Sequence, residues 1–293
     1  MKLGCSTITY QLGGISIHDS LERIKALEID YVDFPGFDAH QPQFYSTAEK
    51  LRISKRLEQL DMHANSIIYL PKANPGSFSL EERLAAIEEI KPAARFLKEM
   101  GGRFVIFCES CGRPDYATNL DRDQAYENSI DTTKRFCEWA EKEGINVMLE
   151  LIPYGGNFYK IERMKDTLDR VGAPNLWANI DLGHCYLQKI HGKRFSALGD
   201  RTVSVHISDN DAVGNEGCVC EADMIIGKGN TDFKSYFHYL QKMDIDGNCK
   251  KAGFGEAVAT IECVEDEFIP NPDYCILRSR DYILSQVPGL FLK

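Results

Sequence analysis

Four polar side chains interrupt apolar runs in a way that suits cation binding. Glu150 sits in Ile-Asn-Val-Met-Leu-Glu-Leu-Ile-Pro and Asp181 in Leu-Trp-Ala-Asn-Ile-Asp-Leu-Gly-His. His206 sits in Thr-Val-Ser-Val-His-Ile-Ser-Asp and Glu262 in Val-Ala-Thr-Ile-Glu-Cys-Val. Taken singly, each has an ordinary explanation: a carboxylate at a strand end caps a helix or pairs with a lysine, and a histidine in an apolar strand is hydrogen-bonded in the core. Together they are harder to dismiss, because three carboxylates meeting in a low-dielectric site repel one another unless a cation lies between them. Three carboxylates and one imidazole form a mostly oxygen donor set. That set suits Mn²⁺, Mg²⁺ or Co²⁺ better than a thiolate-type zinc site. We therefore expect one divalent metal ion, Mn²⁺ first, with Mg²⁺, Co²⁺ or Zn²⁺ as alternatives, on Glu150, Asp181, His206 and Glu262.

The four residues can meet only if the elements that carry them are neighbours. Eight short, β-rich apolar runs recur at 2–9, 31–35, 62–69, 103–108, 146–152, 176–181, 202–208 and 257–263. They are near-continuous rather than alternating, as in strands covered on both faces. Between them the apolar residues fall at helical spacing: Leu21, Ile24 and Leu27; Leu80, Leu84, Ile87 and Ile90; Phe136, Trp139 and Ala140; Tyr236 and Leu240. Gly101-Gly102 and Gly144 supply stop signals before the fourth and fifth strands. Eight strand–helix alternations without a Pro- or Gly-rich linker predict a single (β/α)₈ barrel domain over residues 1–293. An open doubly wound sheet is the competing architecture. It ordinarily carries a phosphate-binding glycine fingerprint after its first strand, of which Gly13-Gly14 is a weak imitation. In a barrel the four residues close strands five to eight, at the carboxyl ends where barrel enzymes keep their chemistry. The polar stretches 111–121 and 209–229 follow strands and belong to the same rim.

Composition narrows the partners. The chain of 293 residues is 43% hydrophobic and 27% charged, with 44 acidic and 34 basic residues for a net charge of −10. That balance, without a basic run, argues against a nucleic-acid partner, whose phosphates need lysine and arginine. No run approaches the roughly 18 apolar residues of a membrane span. The ten cysteines are scattered, and several lie in apolar strands. They read as reduced thiols of a cytoplasmic protein. Neither Cys108-x-x-Cys111 nor Cys218-x-Cys220 has a second pair at zinc-site spacing.

At these residues the sequence resembles the xylose-isomerase-like barrel superfamily of sugar isomerases and epimerases. This group includes ketose 3-epimerases of the tagatose/psicose type, hydroxypyruvate isomerase and inosose enzymes, with endonuclease IV as a distant member. The likeness runs the length of the chain through Glu150-Leu-Ile-Pro, Asp181-Leu-Gly-His184, His206-Ile-Ser-Asp-Asn-Asp211, Gly227-Lys-Gly229-Asn-Thr-Asp232-Phe233 and Thr260-Ile-Glu262. The resemblance implies one metal on the quartet, with Glu150 and Glu262 also serving as base and acid on opposite faces of the substrate. It implies a substrate contact for His184. The expected reaction is isomerisation or epimerisation of a keto-sugar or keto-polyol through a metal-stabilised enediolate. A dehydratase or lyase on a keto-polyol or keto-glycoside is the alternative from the same site. A non-catalytic sugar-binding barrel is a second alternative. Relatives are commonly oligomers, so a homo-oligomer is expected by analogy.

The sequence departs from the ketose 3-epimerase pattern at two rim positions. Ala212 replaces an Arg six residues after His206, and Gly156 replaces a Glu six residues after Glu150. It also lacks the further histidines of the endonuclease: Cys108 falls near one such position, and Glu221-Ala-Asp223 replaces its Asp-x-His pair. Two residues are further candidates for contact with the substrate, Tyr10 at the end of the first strand and Asp223 before the glycine loop. His63, early in the third strand, reads as structural.

Overall fold

The computed structural model describes residues 1–37, 41–108, 119–152, 160–211, 224–264 and 270–291. Eight parallel strands close into a barrel in chain order: β1 (Lys2–Ser6), β2 (Tyr31–Pro35), β3 (His63–Tyr69), β4 (Phe104–Phe107), β5 (Asn146–Glu150), β6 (Leu176–Asp181), β7 (Thr202–Ile207) and β8 (Val258–Ile261). Closure is by β1 against β8, with Lys2 beside Val258 and Cys5 beside Ile261. Each predicted apolar run yields one strand, and runs such as Phe104-Val-Ile-Phe107 are wholly buried. Both faces of such a strand are covered, one by the barrel interior and one by helices, so a continuous run of branched and aromatic residues has no solvated side to offer polar ones.

Helices wrap the barrel: α1 (Ile8–Leu12), α2 (Ile17–Ala26), α3 (Thr47–Leu60), α4 (Leu80–Glu99), α5 (Asn119–Lys142), α6 (Ile161–Val171), α7 (Leu182–Leu187), α8 (Phe233–Lys242), α9 (Ile245–Lys251) and α10 (Pro272–Gln286). Their starts follow side-chain capping. Ser16, Ser46 and Ser79 accept from the backbone N–H of Asp19, Glu49 and Glu82, so each satisfies an otherwise orphaned first-turn donor. Gly101 and Gly144 take φ of +69° and +68° just past α4 and α5, a left-handed turn that L side chains resist. None of the helices among the described residues is long and apolar enough to cross a membrane.

Two local expectations shift. The first run was expected to be strand through residue 9, but β1 stops at Ser6 and Ile8–Leu12 is helical. A short apolar run fits either a buried strand or a helix turn, and here Gln11 N–H closes back on Thr7 O. In α4 the buried stripe begins at Ala86 and Ile87, while Leu80 and Leu84 are 46% and 42% exposed. The described cysteines are buried thiols.

The amino-terminal end of the barrel is closed by Arg103, just before β4. Its Nε and Nη2 donate to Asn65 Oδ1 (3.1 and 2.5 Å), and its Nη1 donates to the carbonyls of Phe254 and Glu256 (both 2.9 Å). The guanidinium lies over Tyr31 and Phe104, at 5.4 and 5.5 Å from the ring centroids. At the same level the register between β2 and β3 slips by one residue: Val32 pairs with Ala64, but Asp33 pairs with Ser66. Asn65 is the extra residue of this bulge, a device that re-aims a side chain within a ladder.

Candidate metal centre

Glu150 and Asp181 are the last residues of β5 and β6, His206 is the penultimate residue of β7, and Glu262 follows β8 directly. The barrel ladder aligns them, pairing Asp181 with His206 and His206 with Thr260, two residues before Glu262. One ligand atom from each of the four residues lies within 4.8 Å of every other. The four side chains expected to converge do so. His206 Nδ1 stands 2.8 Å from Glu150 Oε1 and 3.2 Å from Glu262 Oε2. Glu150 Oε1 also accepts from Asn179 Nδ2 (3.2 Å), and Cys108 Sγ donates to Glu150 Oε2 (3.4 Å). Glu150, Asp181 and His206 are buried, whereas the Glu262 side chain keeps 12% of its exposure.

Asp181 is fixed by one oxygen and leaves the other. Its Oδ1 accepts from His184 N–H (2.7 Å), capping α7, and from Ser208 Oγ (2.8 Å). Its Oδ2 is buried with no hydrogen-bond partner among the described residues. The glycine of Asp181-Leu-Gly183-His184 is there for space, since a Cβ on Gly183 would collide with Ser208 Oγ and stand 2.8 Å from Ser208 O. His184 Nδ1 lies 3.1 Å from the carbonyl of Leu151. A carbonyl only accepts, so Nδ1 carries the proton.

The charges explain the shifts in this cluster. Burial opposes the His206 imidazolium, but Glu150, Asp33 and Glu262 outweigh it and hold the ring well above its ordinary pKa. Burial raises the Glu150 carboxyl, yet the facing His206, aided by His184 and Cys108, brings it below the usual range. Glu262 and Asp181 go the other way: burial raises both, and Glu150 adds to it in each case. Without a cation, a protonated histidine is what holds these carboxylates together. A bare Asp181 oxygen, an imidazole nitrogen set between two carboxylates and a surplus of buried negative charge fit a divalent ion better than any neutral partner.

A residue the sequence reading passed over lies behind His206. Asp33, in the middle of β2 and fully buried, places Oδ2 3.2 Å from His206 Nε2. Burial raises the Asp33 carboxyl, but His206, with Thr260 and Asn65, more than compensates and keeps it below its ordinary value. Asp33 does interrupt an apolar run, the same signal that marks the quartet, but at mid-strand rather than at the carboxyl end.

Asp209 explains the glycine motif. Its buried carboxylate accepts four backbone N–H groups: Asn210 (2.9 Å) and Thr231 (3.1 Å) on Oδ1, Gly227 (2.8 Å) and Gly229 (2.9 Å) on Oδ2. A Cβ on Gly229 would collide with Asn210 O and Asp209 Oδ1. Residues 224–232 are thereby folded back on Asp209, two residues beyond the end of β7 and three beyond His206. Asp209→Asn puts an amide in place of one acceptor against donors it cannot satisfy, and should cost about 3 kcal/mol in urea unfolding. A loss below about 0.5 kcal/mol would show that the four contacts do not hold the segment.

Tyr10 and His63 are not among the four residues that converge. Tyr10 lies in α1 rather than at the end of a strand. Its ring packs 5.9 Å from the Arg23 guanidinium, and burial, with Cys5 and Asp273, pushes its phenol well up. None of these contacts is with the quartet. His63 is exposed at the start of β3, 5.1 Å from the Tyr31 ring. Asp223, Gly156, Ala212, Cys111, Cys218, Cys220 and Glu221 lie outside the described residues.

Comparison with known proteins agrees with this fold. Residues 21–251 match the family model of the xylose isomerase-like TIM barrel. The L-ribulose 3-epimerase of Methylomonas sp. (strain DH-1) is 29% identical over 229 residues, 74% of this chain and 71% of that protein. In fold, the chain superposes on the D-allulose 3-epimerase of Methylomonas sp. with a TM-score of 0.76, at 17% identity over 98% of both chains. It superposes on the IolI protein, whose crystal structure holds a zinc atom, with a TM-score of 0.79, at 15% identity over 100% of both. With the family model spanning most of the barrel, this chain belongs to the xylose isomerase-like TIM barrel family.

Proposed function

We propose that the protein is a divalent-metal-dependent isomerase or epimerase of a keto-sugar or keto-polyol, working by proton transfer at the carbon beside the carbonyl. The observation that carries this reading is the convergence of Glu150, Asp181, His206 and Glu262 at one buried point. When bound there, a divalent ion supplies the Lewis-acid charge that acidifies a hydrogen next to a ketone. Two glutamates then have distinct tasks. Glu150, oriented by Asn179, is suited to remove the proton. Glu262, the more exposed of the two, is suited to return one. Delivery to the opposite face gives an epimer, and delivery to the neighbouring carbon gives an isomer. His184, with its Nδ1 proton fixed by the Leu151 carbonyl, is positioned to meet a substrate oxygen, and Asp223 is assigned a second contact. The sugar named for the Methylomonas relative, L-ribulose, is the first to try, with D-allulose next.

The test is incubation of the Mn²⁺-loaded protein with a panel of free and phosphorylated keto-sugars and inososes in D₂O. One solvent deuterium on the carbon beside the carbonyl of the product is the expected result. An unsaturated product would establish the lyase reading in its place. Neither exchange nor product across the panel would sink the proposal.

A further inference from the structure

A continuous polar line runs through the barrel from its amino-terminal floor to the quartet. Arg103 donates to Asn65 Oδ1. Asn65 Nδ2 donates to Asp33 Oδ1 (2.9 Å), and the Ser66 N–H donates to the same oxygen (2.9 Å). Asp33 Oδ2 faces His206 Nε2 at 3.2 Å, and His206 Nδ1 faces Glu150 and Glu262. Asp33, Asn65, Ser66 and His206 are all wholly buried. The contact between Asp33 and His206 has ion-pair geometry, and the Thr260 side chain also bears on the Asp33 carboxylate.

We propose that Asp33 is the positioning residue of the metal centre: it holds the His206 ring so that Nδ1, not Nε2, is the ligand nitrogen, and it is itself braced by Asn65 and Arg103 from the floor of the barrel. The inference rests on the metal reading above and concerns residues that the quartet does not include. An imidazole has two nitrogens, and the partner of one decides which remains for a metal. On the quartet side Nδ1 lies among carboxylates that share the cation. On the far side Nε2 meets an acceptor pinned by two donors, one from a side chain and one from the backbone. A ring flipped about Cβ–Cγ would place the Cε1–H, and the other tautomer a nitrogen lone pair, against a buried carboxylate whose other oxygen is already engaged. The bulge at Asn65 is what makes this support possible, because without the extra residue Asn65 would take the place of Ser66 beside Asp33. Arg103 has no contact with the quartet. Its role in this line is to hold the Asn65 amide oriented, oxygen toward the guanidinium and nitrogen toward Asp33, so that Asp33 receives a donor rather than a second acceptor.

The test compares Mn²⁺ affinity, by competition with a chelator, in the wild-type protein, Asp33→Asn and Arg103→Lys, with the thermal midpoint of each metal-free protein recorded alongside. Asp33→Asn keeps the shape and removes the charge, so Kd should rise about 10- to 100-fold, the range for loss of a carboxylate behind a metal-bound histidine. Its metal-free thermal midpoint should move much less, since the ring and cavity remain filled. Arg103→Lys loses the fork that holds Asn65 and should weaken Mn²⁺ several-fold from the opposite end of the barrel. Protein with ¹⁵N-labelled histidine and bound ¹¹³Cd²⁺ gives a readout that needs no variant: cadmium coupling is expected on Nδ1 of His206, with Nε2 keeping its proton. Unchanged Mn²⁺ affinity in Asp33→Asn, or cadmium coupling on Nε2, would overturn this inference alone. A wild-type protein that takes up neither ion would defeat the proposed function and this inference together. If Asp33→Asn does not fold, the cadmium coupling decides.

Discussion

At saturating Mn²⁺, Glu150→Gln and Glu262→Gln should each lower turnover of the keto-sugar about 10³-fold, within the range that a positioned general acid or base contributes. Glutamine keeps the size of the side chain and one ligand oxygen, so excess metal can offset weaker binding, but it cannot accept or deliver a proton at the reacting carbon. The two variants should also differ from each other. Glu150→Gln should lose solvent exchange from one epimer, and Glu262→Gln from the other, since each glutamate serves one face. Turnover and ¹H–²H exchange, measured from both epimers, separate this from a general loss of the site. Equal, small effects on both epimers would assign the proton transfers to other residues.

Much of the barrel is legible in the sequence because its strands are buried on both faces, and that leaves a plain record: eight apolar runs, eight strands. The quartet is legible for the same reason, since a carboxylate such as Glu150 stands out against Val-Met-Leu on one side and Leu-Ile on the other. What is less legible depends on how strands are staggered. Asp33 interrupts its run as plainly as Asp181 does, but only the barrel register shows that a mid-strand residue of β2 reaches the imidazole of β7. The bulge at Asn65 has no local sequence mark. Asp209 reads as one more polar residue of a loop until the chain returns and presents four N–H groups to it. For Tyr10 only the element differs from expectation: five residues of apolar and polar mixture after β1 suit a strand end or a helix turn equally, and the ring lies near Arg23.

Chelation of the metal should abolish turnover, return of Mn²⁺ should restore it, and the accompanying loss of stability should grow with pH. The sign follows from the groups around the centre. In the metal-free protein the His206 pKa is raised, so the stability it contributes is fully present below its unfolded value and is lost as pH rises through its folded one. Asp181 and Glu262 are raised as well, and their ionisation on the way to neutrality removes stability in the same direction. Glu150 and Asp33 are lowered, so their contributions are lost only toward acid. A divalent ion replaces the histidine proton as the charge that holds these carboxylates, and its binding must release that proton, so affinity rises over the window in which the metal-free protein weakens. At a free ion concentration of 100 Kd the stabilisation is about 2.7 kcal/mol, and raising the pH increases it by tightening Kd. Thermal unfolding with and without chelator at pH 6.5 and 8 measures the difference, and calorimetry in buffers of different ionisation enthalpy counts the protons released. A gap that narrows at the higher pH, or binding without proton release, would mean that His206 does not exchange its proton for the ion, and the quartet would then have to hold its charge in some other way.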